Sequence, residues 1–253
     1  MPNLKYDIFS GGWIFLIYNL MYNIVSIDPS LISTAIYVNG KLINYCRESD
    51  AYNKSGLSKW FKMCEGLVDL RFVDFREFKD YSEGELTKLK DYDKITDSII
   101  TDIENNIYKS KETKIGIEGF NFASGVGDLI DLVTFSTILR KKLYDYISKD
   151  IWVISPLSLK LEACKLTYEP INIGKKKEKL VYRNNMGIAG GHFTKREIFL
   201  SIVENNFLND EWSKHIKSIS SEMLEGKSIK KPYEDINDAY VLAKTLEKKW
   251  GII

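Results

Sequence analysis

Asn39-Gly40, set between the apolar runs Ala35-Ile36-Tyr37-Val38 and Leu42-Ile43-Asn44-Tyr45, constrains this chain more tightly than any other pair of residues. A two-residue hairpin turn needs positive φ at its centre, which Asn and Gly tolerate best, so the two runs are predicted to be antiparallel neighbours. A third β-rich run, Tyr22 to Asp28, comes before them and ends abruptly in Asp28-Pro29-Ser30. The chain therefore opens with three strands that pair as a meander.

Beyond the meander, strands alternate with helices. Residues 56–82 are aromatic-rich (Trp60, Phe61, Phe72, Phe75, Phe78) and read as a short helix with an irregular or strand-like insertion. From Glu83 to Tyr108 the spacing of Leu86, Leu89, Ile95, Ile99, Ile103 and Ile107 predicts a helix, best in its second half. Lys114–Glu118 is a strand, residues 128–148 a long amphipathic helix, and Asp150–Ile154 a further strand stopped by Ser155-Pro156. A short helix runs through Leu159–Cys164. Thr194 is placed to cap a helix carrying Ile198, Phe199, Ile202 and Val203, and Pro232 to open the last one. The fold class is α/β: a mixed sheet with an antiparallel meander first and parallel strands after it, flanked by helices.

With 253 residues, 44% of them hydrophobic and 13% aromatic, the chain can build a full core as a single domain over residues 23–253, with insertions near 50–82 and 167–192. Residues 1–22 are expected to be an N-terminal extension outside the fold, with Met21 the functional start. Their apolar stretch, Trp13 to Tyr22, is interrupted by Asn19 and too short to span a bilayer, so no membrane partner is expected. The three cysteines, Cys46, Cys64 and Cys164, show no metal-ligand spacing and suit a reducing intracellular compartment: the cytoplasm, or a host cell's cytoplasm for a viral chain. A net charge of +1 announces no global field for nucleic acid, although lysines cluster locally.

The chemistry is carried by four acids. Asp28 and Glu118 each close a short apolar strand, and Asp235 and Asp238 open the last helix three residues apart. On that helix Ile236, Ala239, Ala243, Leu246 and Trp250 fall within a stripe roughly 80° wide, with both aspartates on its flank and Lys244 and Lys248 directed to solvent. Taken singly, each acid has a plain alternative: Asp28 as a turn former, Asp235 and Asp238 as first-turn acids complementing the helix dipole. Taken together, two carboxylates ~4 Å apart repel by about 4 kcal/mol at an effective dielectric near 20, so a converged set calls for cations. Oxygen ligands without His or Cys favour Mg²⁺, with Mn²⁺ as a substitute, and two such ions can drive phosphodiester hydrolysis.

Ser26-Ile27-Asp28-Pro29-Ser30, Gly116-Ile117-Glu118-Gly119 and Asp235-Ile236-Asn237-Asp238-Ala239 resemble, in order and spacing, the acidic motifs of RuvC-type Holliday junction resolvases in their phage and viral variants. The resemblance spans about Asn23 to Leu246. It implies a ribonuclease H-like fold, Asp28, Glu118, Asp235 and Asp238 as catalytic ligands of two Mg²⁺ ions, branched DNA (a four-way junction) as substrate, and a homodimer that makes paired nicks. The Trp60–Phe78 and Tyr168–Gly191 segments are longer than the compact bacterial pattern.

Around that core lie candidate nucleic-acid contacts. Gly190-Gly191-His192-Phe193-Thr194-Lys195-Arg196 sets basic groups at a helix N-terminus, where the family has a lysine-bearing segment; Lys195 and Arg196 would meet phosphate and His192 a leaving group. Phe120 and Phe122, in the loop after Glu118, would wedge against bases or pack in the core. Lys175, Lys176 and Lys177 would touch the DNA backbone or lie solvated. Two other readings stay open: a non-catalytic DNA-binding or structural relative, and a phosphotransferase of the actin and sugar-kinase kind. Against the latter, Pro29-Ser30-Leu31 stands where that fold places glycine.

Overall fold

The computed structural model describes residues 22–48, 56–73, 80–120, 126–174, 178–190, 192–226 and 228–252. Phe122, Lys175, Lys176, Lys177 and the proposed extension up to Met21 lie outside them. Strand β1 (Tyr22–Asp28) pairs antiparallel with β2 (Ser33–Val38), and β2 with β3 (Lys41–Cys46). The turn is the expected one: Asn39 and Gly40 have φ of 50° and 95°. The Asn39 side chain also ties the turn to β1, accepting from the Ile24 amide at 3.0 Å and donating to Asn23 Oδ1 at 3.0 Å.

Helix α1 (Ser58–Cys64) leads into β4 (Val68–Phe72), which runs parallel to β3. The strand-like part of the aromatic segment is thus an edge strand of the main sheet. Helix α2 (Tyr81–Asn106) is capped by Asp80, whose side chain accepts from the Glu83 amide. Strand β5 (Glu112–Glu118) is parallel to β1. Helix α3 (Val126–Lys142) ends in a π turn over Leu143–Ile147, and β6 (Ile151–Ile154) lies parallel to β5. The sheet order is β4-β3-β2-β1-β5-β6, the mixed sheet, antiparallel meander first and parallel strands after it, that the sequence leads one to expect.

Helix α4 (Pro156–Thr167) starts at a Ser155 cap, and β7 (Ile171–Asn172) and β8 (Leu180–Val181) form a separate small hairpin. Helix α5 (Lys195–Val203) begins with a capping box in which the Glu197 carboxylate reaches back to Thr194. Then come α6 (Glu211–Ser218), α7 (Ser220–Glu225) and α8 (Tyr233–Lys249).

Side chains alternate across the sheet, so each strand feeds two cores. Val25, Ile27, Ile115 and Ile117 pack with α2 and α3 on one face; Ile24, Ala35, Tyr37 and Leu42 pack with α4 to α8 on the other. Helix α8 lies close on this second face because the residues beneath it are small. A Cβ on Gly116 would come within 2.9 Å of Leu246 Cδ1 and 3.0 Å of Leu242 Cγ, and the Ser26 hydroxyl donates to the Ala239 carbonyl at 2.5 Å.

One expectation is corrected here. Lys244 does not project into solvent; it is buried, within 3.0 Å of Glu247 and 3.6 Å of Asp210, over the rings of Tyr37 and Tyr240. The reason is that Lys244 lies on the side of α8 that meets Tyr37 of β2 and the Asp210 cap of α6, where its ammonium finds two carboxylates and two ring faces. Lys248 is exposed, as expected.

Candidate metal centre

The period-two alternation that sends Ile27 and Ile117 to one core sends Ser26, Asp28, Gly116 and Glu118 to the other face. Strands β1 and β5 run in parallel with Ile27 opposite Ile117, so the two strand-end carboxylates finish side by side. Helix α8 crosses with Leu242 and Leu246 over Gly116 and Ala239 over Ser26. Its direction is opposite to the strands, which brings its first turn over their C-terminal ends. One oxygen from each of Asp28, Glu118 and Asp238 lies within 4.8 Å of the others, and all three residues are buried. Among the described residues, Glu118 Oε2 and Asp238 Oδ1 have no hydrogen-bond partner. Buried acceptors left unsatisfied in this way are costly, and a cation is one group whose binding relieves that cost.

The electrostatics fit a site that lacks positive charge. Burial, then Glu118 and Asp235, push the Asp28 carboxyl well above its ordinary range, against a partial offset from Lys195. Burial and Asp235 likewise raise Glu234. Lys195, at the start of α5, ion-pairs with Asp238 and lies 3.9 Å from Glu234. Burial opposes its charge, yet Glu118, Asp28, Glu234 and Asp235 outweigh that and hold its pKa up.

Asp235 stands apart from the trio. Both of its oxygens are taken by the Lys231 ammonium, at 3.0 and 3.1 Å. It is still close enough to raise the Asp28 pKa. The structure therefore brings three of the four expected acids to one point and turns the fourth toward a lysine.

The expected nucleic-acid contacts fall in different places. Lys195 sits among the acids. The Arg196 guanidinium donates to the carbonyls of Leu224 and Gly226 at 3.5 and 3.3 Å, which fastens α5 to the end of α7. His192 is exposed, and its backbone carbonyl accepts from Asn184. Phe120 is half-buried with the Arg140 guanidinium 4.5 Å from its ring centre. A cleft of about 630 Å³, lined by Thr194, Lys195, Arg196, Ile229 and Glu234, opens beside the cluster.

Three members of this neighbourhood were not singled out from the sequence: Lys160, Lys231 and Glu234. Lys160, on α4, is held below its ordinary pKa by burial and by Lys195, with Glu118 acting the other way. Lys231 carried a legible signal, since it stands four residues before Asp235, but Pro232 marks the helix start between them. Lys160 carried none, because only the packing of α4 brings it near Glu118.

No family model and no curated protein matches the sequence. Among solved structures, Thermus thermophilus RuvC in complex with a Holliday junction substrate aligns over 91% of this chain and 97% of that one, at 10% identity and a TM-score of 0.41. A second Thermus thermophilus RuvC structure aligns over the same shares at 12% identity and the same TM-score. Likeness of that depth carries no argument about chemistry, which stands on the carboxylates alone. No helix among the described residues is long and apolar enough to cross a membrane.

Proposed function

We propose that this chain is a metal-dependent, structure-selective DNA endonuclease that resolves four-way junctions as a homodimer. The observation that carries the reading is the buried trio Asp28, Glu118 and Asp238, with unpartnered oxygens on two of its members. Such a donor set, oxygen only, suits Mg²⁺, with Mn²⁺ as a substitute. Asp28, Glu118 and Asp238 would hold one ion, and Asp235, beside them, would help to hold a second. When bound, the ions supply an activated water and charge stabilisation at the leaving oxygen. The protein's own part is positioning. The sheet holds Asp28 and Glu118 rigidly side by side, α8 supplies Asp238, and Lys195 is the cation nearest the acids that can meet a phosphate.

The choice of branched DNA and of a dimer rests on the resemblance of the three acidic segments to RuvC-type resolvases, in order and spacing. Paired nicks across a four-way junction need two sites related by symmetry. The test is incubation of the purified protein with a labelled four-way junction and with linear duplex, with and without Mg²⁺, while light scattering measures its mass. Symmetric nicking of the junction alone, dependent on the ion, is expected. Cleavage that persists in chelator would sink the metal assignment; equal cutting of duplex would sink the junction preference.

A further inference from the structure

Lys231 has no place in the chemistry above, yet it is bound to the one acid that stands outside the trio. It precedes the first residue of α8 and reaches forward to both oxygens of Asp235, at 3.0 and 3.1 Å. The pair is lopsided in exposure: the Asp235 side chain is 5% exposed and that of Lys231 33%. The aspartate is held in the core, while part of the lysine side chain reaches solvent. Lys231 also lies in electrostatic reach of Glu234 and Asp28, so its charge faces the cluster and not open solvent.

The contrast with the trio lies in the oxygens left over: Asp238 also pairs with a lysine, Lys195, but through Oδ2 alone. Glu118 Oε2 and Asp238 Oδ1 have no partner among the described residues, so they present open acceptors to an incoming ion. Both oxygens of Asp235 are engaged. An ammonium on a flexible four-carbon stem is a compact charge that exchanges partners readily, and a phosphate is the natural alternative to a carboxylate.

We infer that Lys231 is a tethered counter-ion that keeps Asp235 out of the cation site, so that the free protein takes one divalent ion and gains a second only when Lys231 releases Asp235. The inference rests on the metal reading proposed above and adds the order in which the site fills. Entry of a second dication beside Asp235 requires the ammonium to move, because like charges at that separation repel strongly. A substrate phosphate that draws Lys231 away would couple completion of the site to the arrival of DNA.

The test is titration of the full-length protein with Mn²⁺ in the absence of DNA, followed by electron paramagnetic resonance. Wild type is expected to bind one Mn²⁺ per chain with an uncoupled signal. Lys231→Met, with Lys231→Gln as a second neutral variant in case the first fails to fold, is expected to bind two. The second ion should bind at least tenfold tighter than in wild type and give a spin-coupled signal. Lys231→Arg should behave as wild type, and Lys230→Met, one residue away, should leave the stoichiometry at one. If wild type already binds two ions, or if the neutral variants keep one ion with affinity within twofold, the counter-ion role is wrong while the metal reading survives. If wild type and both neutral variants bind none, the metal reading itself falls and this inference with it.

Discussion

The two ends of helix α8 bury charge in opposite ways. At its C-terminal half, Glu247 accepts from Tyr37 at 3.1 Å and from Lys244 at 3.0 and 3.3 Å, while Asp210 accepts from Tyr240 at 2.6 Å and from the Ser213 amide at 2.9 Å. The carboxylate oxygens of this network all have donors. At the N-terminal turn, Asp28, Glu118, Glu234, Asp235 and Asp238 outnumber the nearby lysines, and two oxygens of the trio have no partner among the described residues. A balanced network holds the helix down; an unbalanced one has been left short of positive charge, and that shortage is the functional signal.

The sharpest way to break the comparison is to neutralise one acid at each end. Asp28→Asn or Glu118→Gln should lower the cleavage rate by at least about 100-fold, since ion-held oxygens supply several kcal/mol to the transition state. Junction binding should survive, and the melting temperature in chelator should rise, because a repelling charge has gone. A variant that cut at the wild-type rate would remove that acid from the centre. Glu247→Ala should do the reverse. By leaving Lys244 buried without its carboxylate it should cost about 3–5 kcal/mol of stability, equally with and without Mg²⁺, in denaturant titrations.

A smaller effect is expected where the two ends share a support. Gly116→Ala places a methyl against Leu242 and Leu246 and should cost about 1–3 kcal/mol by overpacking. Because α8 must shift to admit it, cleavage should fall along with stability. Loss of stability with a full cleavage rate would mean that the trio does not depend on the seating of α8.

The pH dependence sharpens the contrast further. Asp28 has a folded-state pKa raised above the ordinary 3.8, so the folded state holds that proton more tightly than the unfolded chain does. Its contribution is therefore most favourable below 3.8 and is lost as pH rises through the raised value. In chelator, wild type should gain stability relative to Asp28→Asn as the pH falls through that window. With Mg²⁺ present the trend should reverse, wild type gaining stability over Asp28→Asn as the pH rises, because the ion competes with the proton for Asp28 and binding it stabilises the fold. A pH-independent difference in chelator would show that Asp28 titrates alike in the folded and unfolded chain. The smallest effect belongs to Arg196→Ala, which should cost about 1 kcal/mol for its carbonyl contacts and leave junction affinity unchanged. A large drop in affinity would return Arg196 to the DNA surface.

Much of this was legible along the chain. Asn39-Gly40 announced its hairpin because few residues accept positive φ, and Thr194 announced a helix start because its side chain caps a free amide; Ser155, read as a strand stop, proved to be a helix cap as well. Asp28 and Glu118 stood out as charges at the ends of apolar strands. The edge strand β4 was harder: Val68-Asp69-Leu70-Arg71-Phe72 alternates apolar and charged residues, but five residues inside a longer aromatic stretch are a short signal. Lys244 was misread because its position on a helical wheel says nothing about Tyr37 and Asp210, which come from distant parts of the chain to enclose it.

Local chemistry, written residue by residue, determined the strands, the caps and which side chains were candidates for the site. Those depend on φ preferences and on hydrophobic period, both properties of neighbours in sequence. Only the tertiary packing decided that Asp238 joins Asp28 and Glu118 while Asp235 turns to Lys231. Those outcomes depend on how closely α8 seats against Gly116 and Ser26, a distance set by residues far apart in the chain.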